Sequence, residues 1–197
     1  MKSLHSLIFS RTVVLLLIFC FFSAQVFAQS KKSGQTEFSS EGKIRKAVKL
    51  PASVLKRLGE YDERRLAGCQ KDKFLRRTKA ADHFAASAIN FDGNAFSDLI
   101  VQAQTPCFMG AHNTVFWIFT RSNQKPNAPY KMAFDIAADY LKVLNTSTSD
   151  FRDIETASHT AVELYTIKWK YDGEKYQKSE CTVSDENDKV SKVECNP

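Results

Sequence analysis

From Pro51 onward the apolar positions recur with two different periods, and each period predicts a different element. Val54, Leu55, Leu58, Tyr61 and Leu66 return at helical intervals, with Ser53 placed to cap the helix and Gly68 placed to stop it. Lys56, Arg57, Glu60, Glu63, Arg64 and Arg65 mix both signs between them and read as the solvated side of an amphipathic helix. After Asp82 the period shortens to two. In H-F-A-A-S-A-I-N-F the residues Phe84, Ala86 and Ala88 share a face. Further on, Tyr165, Ile167, Trp169 and Tyr171 alternate with Thr166, Lys168 and Lys170 before Asp172-Gly173. That pattern predicts a half-exposed strand entering a turn, with Tyr176 to Cys181 returning antiparallel and the aromatic face against the core.

Two stretches are alike. S-D-L-I-V, V-F-W-I-F-T-R and P-Y-K-M are followed by R-D-I-E-T, E-L-Y-T-I-K-W-K-Y and K-Y-Q-K, so that Asp98 answers Asp153 and Ile118 answers Ile167. The expected fold is α+β: an N-terminal amphipathic helix packed on a mainly antiparallel β-sheet built from two weakly similar hairpin units. Two units are too few to close a propeller.

The N-terminus has a different pattern. Lys2 and Arg11 precede an apolar run from Val13 to Phe22, and Val26-Phe27-Ala28 suits a signal peptidase, so residues 1–28 read as a signal peptide. The run falls short of the roughly 20 residues that span a bilayer, and the bulky Phe19 before Cys20 argues against lipid attachment. Residues 29–49 are polar and rich in Ser, Gly and Lys, as in a flexible leader, and 50–197 form a single globular domain. The expected location is secreted or periplasmic, with no transmembrane helix after cleavage.

Export changes the reading of the cysteines. Cys69, Cys107, Cys181 and Cys195 remain after cleavage, an even number bound for an oxidising compartment. Three pairings exist in principle. The short polar segment between Cys181 and Cys195 can fold back as a closed loop, which favours that pair and leaves Cys69 with Cys107. No C-x-x-C spacing points to zinc.

One loop carries candidate chemistry. In N-F-D-G-N-A-F-S-D-L-I-V the side-chain oxygens of Asn90, Asp92, Asn94 and Asp98 are spaced as in loops that wrap a hard cation. The stretch resembles the acidic loop and following strand of FG-GAP or VCBS-type repeats, D-x-N-G-D-G-x-x-D before an apolar strand. A broader likeness, from Asp82 to Cys181, is to small exported bacterial proteins of unknown role with a cysteine-bearing loop, an F-W-I-F-like strand, an R-D-I segment and a D-G-x-x-Y hairpin. The resemblance implies fold more than function. Asn90 and Asn94 stand where the repeat has Asp, Ala95 where it has Gly, and Ser97 where it has Pro. With two carboxylates only, calcium binding is expected to be weak, and the loop is expected to serve mainly as a turn in which Gly93 supplies positive φ. No other cofactor is implied.

Catalytic patterns are not supported. His83, His112 and His159 are scattered, no H-E-x-x-H, G-x-S-x-G or phosphate loop occurs, and the S-x-x-K matches at Ser53 and Ser122 lack their companion motifs. His112, beside Cys107, would be the first member of any hidden site. The full chain carries +6 at neutral pH and loses Lys2 and Arg11 with the signal peptide, so the mature protein is mildly basic. The one-sided cluster Lys71, Lys73, Arg76, Arg77 and Lys79 reads first as a solvated surface, with phosphate or an acidic glycan as the alternative; the partner expected for the protein is an anionic envelope polymer or another protein, and specific nucleic-acid binding is not expected. The expected function is therefore that of an exported noncatalytic binding or envelope-associated protein, with an extracytoplasmic hydrolase or enzyme inhibitor built from loops as the alternative.

Overall fold

The long apolar runs in the middle of the chain form a sheet that is covered on both faces. A computed structural model describes residues 35–72, 79–94, 97–110, 112–121 and 128–195. The segments assigned to the signal peptide, to Lys73, Arg76 and Arg77 of the basic cluster, to Ala95 and Phe96 of the candidate loop, and to the second S-x-x-K match lie outside the described residues. The described residues belong to one compact unit, and no helix among them is long and apolar enough to cross a membrane.

The central sheet runs in the order β2 (Phe84–Ile89), β3 (Asp98–Ala103), β4 (Thr114–Arg121), β5 (Tyr130–Ala138), each strand antiparallel to its neighbours. Every residue of β3 is buried, and so is every residue of β4 except Arg121. This is why V-F-W-I-F reads as continuous rather than alternating: its two side-chain faces meet two different layers. The outer sheet follows the order β1 (Glu37–Ser39), β6 (Tyr140–Thr148), β7 (Phe151–His159), β8 (Leu164–Tyr171), β9 (Tyr176–Ser184), β10 (Val190–Val193). The expected sheet is thus two sheets. The chain passes from one to the other at Asp139, whose N–H donates to the Ala157 carbonyl at 2.9 Å.

The paired sequence stretches fall on corresponding strands, β3 with β7, β4 with β8 and β5 with β9, within two consecutive four-strand meanders. Between the sheets, Ile100, Phe116, Ile118 and Phe134 of the central sheet pack with Phe38, Leu141, Ile154, Trp169 and Tyr176 of the outer one. On the other face of the central sheet, Val101, Trp117 and Phe119 pack with Val54, Leu58 and Cys69 of the helical layer. Each layer therefore buries most of the apolar face that its sequence period marked out, Tyr61 and Tyr165 being the exceptions.

Two short helices make up that outer layer, α1 (Ala52–Tyr61) and α2 (Glu63–Lys71). The single expected helix breaks at Asp62, whose backbone (φ −132°, ψ 49°) is not helical. Pro51 starts α1, its carbonyl accepting the Val54 and Leu55 amides, and Ser53 makes no cap. Gly68 does not stop α2, which continues to carry the buried Cys69 to its partner. Tyr61 is exposed rather than packed, and its hydroxyl donates to the Asp135 carboxylate. That hydrogen bond leads the causes that push the Tyr61 phenol up to about 12.

Disulfides join Cys69 to Cys107 and Cys181 to Cys195. The first ties α2 to the 3-10 turn after β3, and the second closes the tail over β9 and β10.

The segment expected as a flexible leader behaves differently from residue 35 on. Phe38 is 1% exposed within the inter-sheet core, and β1 pairs with β6 from Glu37 opposite Lys142 to Ser39 opposite Tyr140. Gln102, a buried amide in the apolar β3, donates to the Ser39 and Gly42 carbonyls at 2.8 and 3.3 Å. Polar composition concealed this element because one deeply buried phenylalanine and backbone pairing hold it, without any apolar period.

Candidate functional site: a cleft at the loop end

The candidate loop begins where β2 ends, and the side chains of Asn90, Asp92, Asn94 and Asp98 each hydrogen-bond within the chain. The Asn90 side chain donates through Nδ2 to the Asn94 carbonyl and accepts the Gly93 amide through Oδ1. Asp92 accepts the Asn94 amide at 3.0 Å and the Asn94 side-chain amide on its other oxygen. Gly93 has φ +73°, the left-handed conformation that a residue with a Cβ adopts only at a cost.

Asp98 stands apart from the other three. It is fully buried at the first position of β3, where Oδ2 accepts the Phe91 amide and Oδ1 the Arg121 amide, both at 3.0 Å. Burial pushes its carboxyl up to about 6 against the pull of those two amides. The spacing in sequence suggested four oxygens around one point. The fold instead turns Asp98 inward to fasten β4, while Asp92 and Asn94 face a cleft. The four side chains are thus used differently by the fold: Asp98 holds two backbone amides, while Asn90, Asp92 and Asn94 hold one another's turn. No group of three or more His, Cys, Asp or Glu is placed to hold a metal ion among the described residues.

The cleft is the larger feature. It has a volume of about 820 Å³ and takes lining residues from the connections β2–β3, β4–β5, β6–β7 and β8–β9 or from the strand ends beside them. In a meander alternate connections fall at the same end of the sheet, so two stacked meanders bring four connections together. Asp92 and Asn94 come from the first, Arg121, Tyr130 and Lys131 from the strand ends beside the second, Ser149 and Asp150 from the third with Phe151 next to them at the start of β7, and Gly173 and Glu174 from the fourth with Tyr171 at the end of β8. Arg57 of α1 reaches the same space.

Tight turns shape its rim. Ser149 and Asp150 both have positive φ, 50° and 64°, between the paired Thr148 and Phe151, which is the two-residue hairpin turn whose twist suits flanking strands. The β8–β9 turn is held by Asp172, whose Oδ1 accepts the Glu174 and Lys175 amides and whose Oδ2 accepts the Gln177 side chain. These bonds hold the Asp172 carboxyl down at about 2. Phe151 stacks on Tyr171 at 4.1 Å, and the Arg121 guanidinium lies 4.6 Å from the centre of the Tyr130 ring.

No protein-family model, curated protein or solved structure matches the chain. The site is therefore read from its own residues.

The three histidines among the described residues lie elsewhere. His83 is buried at the start of β2 with Nδ1 3.3 Å from Thr105 Oγ1. His112 is exposed in the β3–β4 connection, at the end opposite the cleft. His159, at the end of β7, places Nδ1 2.8 Å from Asp139 Oδ2, and its own amide donates to the same oxygen at 2.7 Å. Spacing could not reveal this pair, because Asp139 and His159 meet only when β6 and β7 align. The cleft was equally hidden, since its residues come from four separate turns.

Proposed function

We propose that this is an exported, noncatalytic binding or envelope-associated protein, and that the cleft at the loop end is where it binds. One observation carries the reading: the β2–β3, β6–β7 and β8–β9 connections, with the ends of β4 and β5 between them, line a single cleft of a size that accepts small ligands. Its lining mixes aromatic rings, an amide and charges of both signs and includes no histidine or cysteine among the described residues. Such a surface recognises rather than reacts. The likeness to FG-GAP or VCBS-type repeats supports a duplicated pair of meanders, with buried Asp98 and Asp153 as the matching acids. On this reading the 90–98 loop is chiefly the turn into β3, and its calcium affinity lies in the roughly 10⁻⁴ to 10⁻³ M range of extracellular modules.

The His159–Asp139 pair favours the second reading, an extracytoplasmic hydrolase or inhibitor, because a carboxylate at 2.8 Å orients an imidazole as a general base requires. Among the described residues no hydroxyl or thiol hydrogen-bonds to that ring, and the pair lies outside the cleft.

Two-dimensional NMR of the exported form, titrated with soluble envelope fragments, tests the proposal. Shifts should gather on Thr120, Lys131, Asp150 and Glu174. Shifts confined to Asp139 and His159 would move the site to the other end and favour the hydrolase. Mass analysis of the exported chain should find Gln29 as its first residue, and full-length protein held in membranes would sink the export reading.

A further inference from the structure

Residues 41–50 form a strap whose two larger apolar side chains pack on different cores. Ile44 lies against the core between the sheets, and Leu50 against the core beneath the helices. Hydrogen bonds fix the chain between them. The Gly42 amide donates to the Ser39 carbonyl at 3.0 Å, the Arg45 amide to Gln35 Oε1 at 2.6 Å, and the Val48 amide to the Ala86 carbonyl at 2.8 Å along the edge of β2. Lys46 turns the strap with a φ of 55°, a left-handed conformation more usual for glycine or asparagine. The strap is thus tied down on both sides of its charges.

Those charges are mostly of one sign. Lys43, Arg45, Lys46 and Lys49 are exposed, and none of them makes an ion pair among the described residues. Glu41 is the single acid between residues 40 and 50. Glu37 of β1 is answered by Lys142 at 3.0 Å; that contact leads the causes that lower its carboxyl, and Arg45 is the last of them. The protein therefore leaves most of the positive charge of the strap to be balanced from outside.

A groove of about 580 Å³ runs beside the strap, within the size range of ligand sites. Arg45 and Lys46 line it, with Thr36 from ahead of β1 and Ser87 and Ala88 from β2, and it shares no lining residue with the cleft at the loop end. Backbone groups alternate in direction along an antiparallel strand, so Ala88 turns its N–H and C=O to the same side as the Ala86 carbonyl that holds Val48, and no strap amide reaches it. A flat layer of lipid headgroups would meet the cations but could not enter the groove. A small inorganic anion would satisfy one cation and leave the others. A chain of sugars that carries a carboxylate on each ring can spread its charge along the strap while its hydroxyls reach Thr36, Ser87 and the outward backbone of Ala88. Lysine, three of the four cations, suits such spaced charge because it needs no bidentate partner.

We infer that the strap and its groove bind an acidic polysaccharide, with the carboxylates on Lys43, Arg45, Lys46 and Lys49 and the sugar rings in the groove. This is a second surface, independent of the cleft in its residues and in its ligand chemistry.

The test uses the exported chain and three probes: trigalacturonate, the neutral trisaccharide maltotriose, and phosphatidylglycerol vesicles. NMR titration gives both the location and the affinity. Trigalacturonate should shift the amides of Arg45, Lys46, Ser87 and Ala88. Its binding should weaken about tenfold as salt rises from about 50 to about 300 mM, and maltotriose should bind at least about tenfold more weakly. Arg45→Gln and Lys46→Asn should each weaken trigalacturonate about threefold, as for one exposed charge contact. Asparagine tolerates the positive φ at position 46, so that variant keeps the turn. Glu37→Gln removes a carboxylate from the groove and should tighten binding. Equal affinity for trigalacturonate and maltotriose would overturn the inference, as would vesicle binding with no response to trigalacturonate. Trigalacturonate shifts confined to Thr120, Lys131, Asp150 and Glu174 would also overturn it, while supporting the cleft as the binding site.

Discussion

The Arg121 amide donates to Asp98 Oδ1 at 3.0 Å, so a buried carboxylate at the first residue of β3 holds the last residue of β4. The other Asp98 oxygen holds Phe91 in the β2–β3 connection, and the Phe91 carbonyl in turn accepts the Arg152 amide at 2.9 Å from β7 of the outer sheet. One side chain thus links the connection of one sheet to the strand ends beside it, and through the backbone to the second sheet, at the base of the cleft.

Asp98 should make stability depend on mild acidity. Its folded value of about 6 lies above the ordinary 3.8, so the folded protein holds a proton that the unfolded chain has released between those values. Its contribution is fully present below pH 4 and is lost as pH rises through 6. Urea unfolding of wild type and Asp98→Asn from pH 4 to 7 isolates it. The advantage of wild type should shrink with rising pH by about 1–3 kcal/mol. An advantage that grows with pH would show that the two amides outweigh burial.

Phe38→Ala should cost about 3–5 kcal/mol, as for a large aromatic removed from a core. Phe38→Leu should cost less. Denaturant midpoints measure both, and a change near zero for Phe38→Ala would return this segment to the status of a leader.

The two disulfides should contribute unequally. The Cys69–Cys107 bridge spans 38 residues and Cys181–Cys195 spans 14, so loop-closure entropy alone gives about 4 and about 3 kcal/mol. Paired Cys→Ala variants, compared by thermal melting, should rank in that order.

Asp92→Ala should cost about 0.5–2 kcal/mol through the lost Asx hydrogen bonds, equally with calcium and with chelator. If the loop were a calcium site of high affinity, melting temperature would rise at micromolar calcium and the rise would vanish in Asp92→Ala and Asp98→Ala. Melts of the three proteins separate these outcomes.

Much of the sheet was legible because side-chain period follows burial. The hairpin around Asp172-Gly173 follows its sequence closely: Tyr171 pairs with Tyr176, and Trp169 and Tyr171 are buried between exposed lysines. The limit of that rule is visible in the same strand. Tyr165, at an inward position by alternation, is 41% exposed, because it lies toward the far end of the sheet and beyond the bulge between Lys168 and Trp169. Other features depended on information that no local pattern contains. Asp92 and Asp98 look alike as loop acids, yet one lines the cleft and the other is sealed beneath it. Whether V-F-W-I-F meets one layer or two is decided by the helices and by a second sheet formed later in the chain. Asp62 breaks the helix although the apolar positions on either side keep helical spacing. The cleft itself is a product of stacking order, which spacing within any one segment cannot express.

Every strand pairing in the two sheets but one joins consecutive strands, and β1 with β6 is the exception. Local hairpins close at small entropic cost, whereas Glu37 must find Lys142 across both the helical layer and the whole central meander. The order of assembly is therefore written into the topology: each meander can zip up along the chain, and the Phe38 strand can lock only after β6 exists to receive it. Pulse-labelling hydrogen exchange should show the amides of β1 acquiring protection last, so that the edge of the outer sheet acts as a latch on a structure already formed.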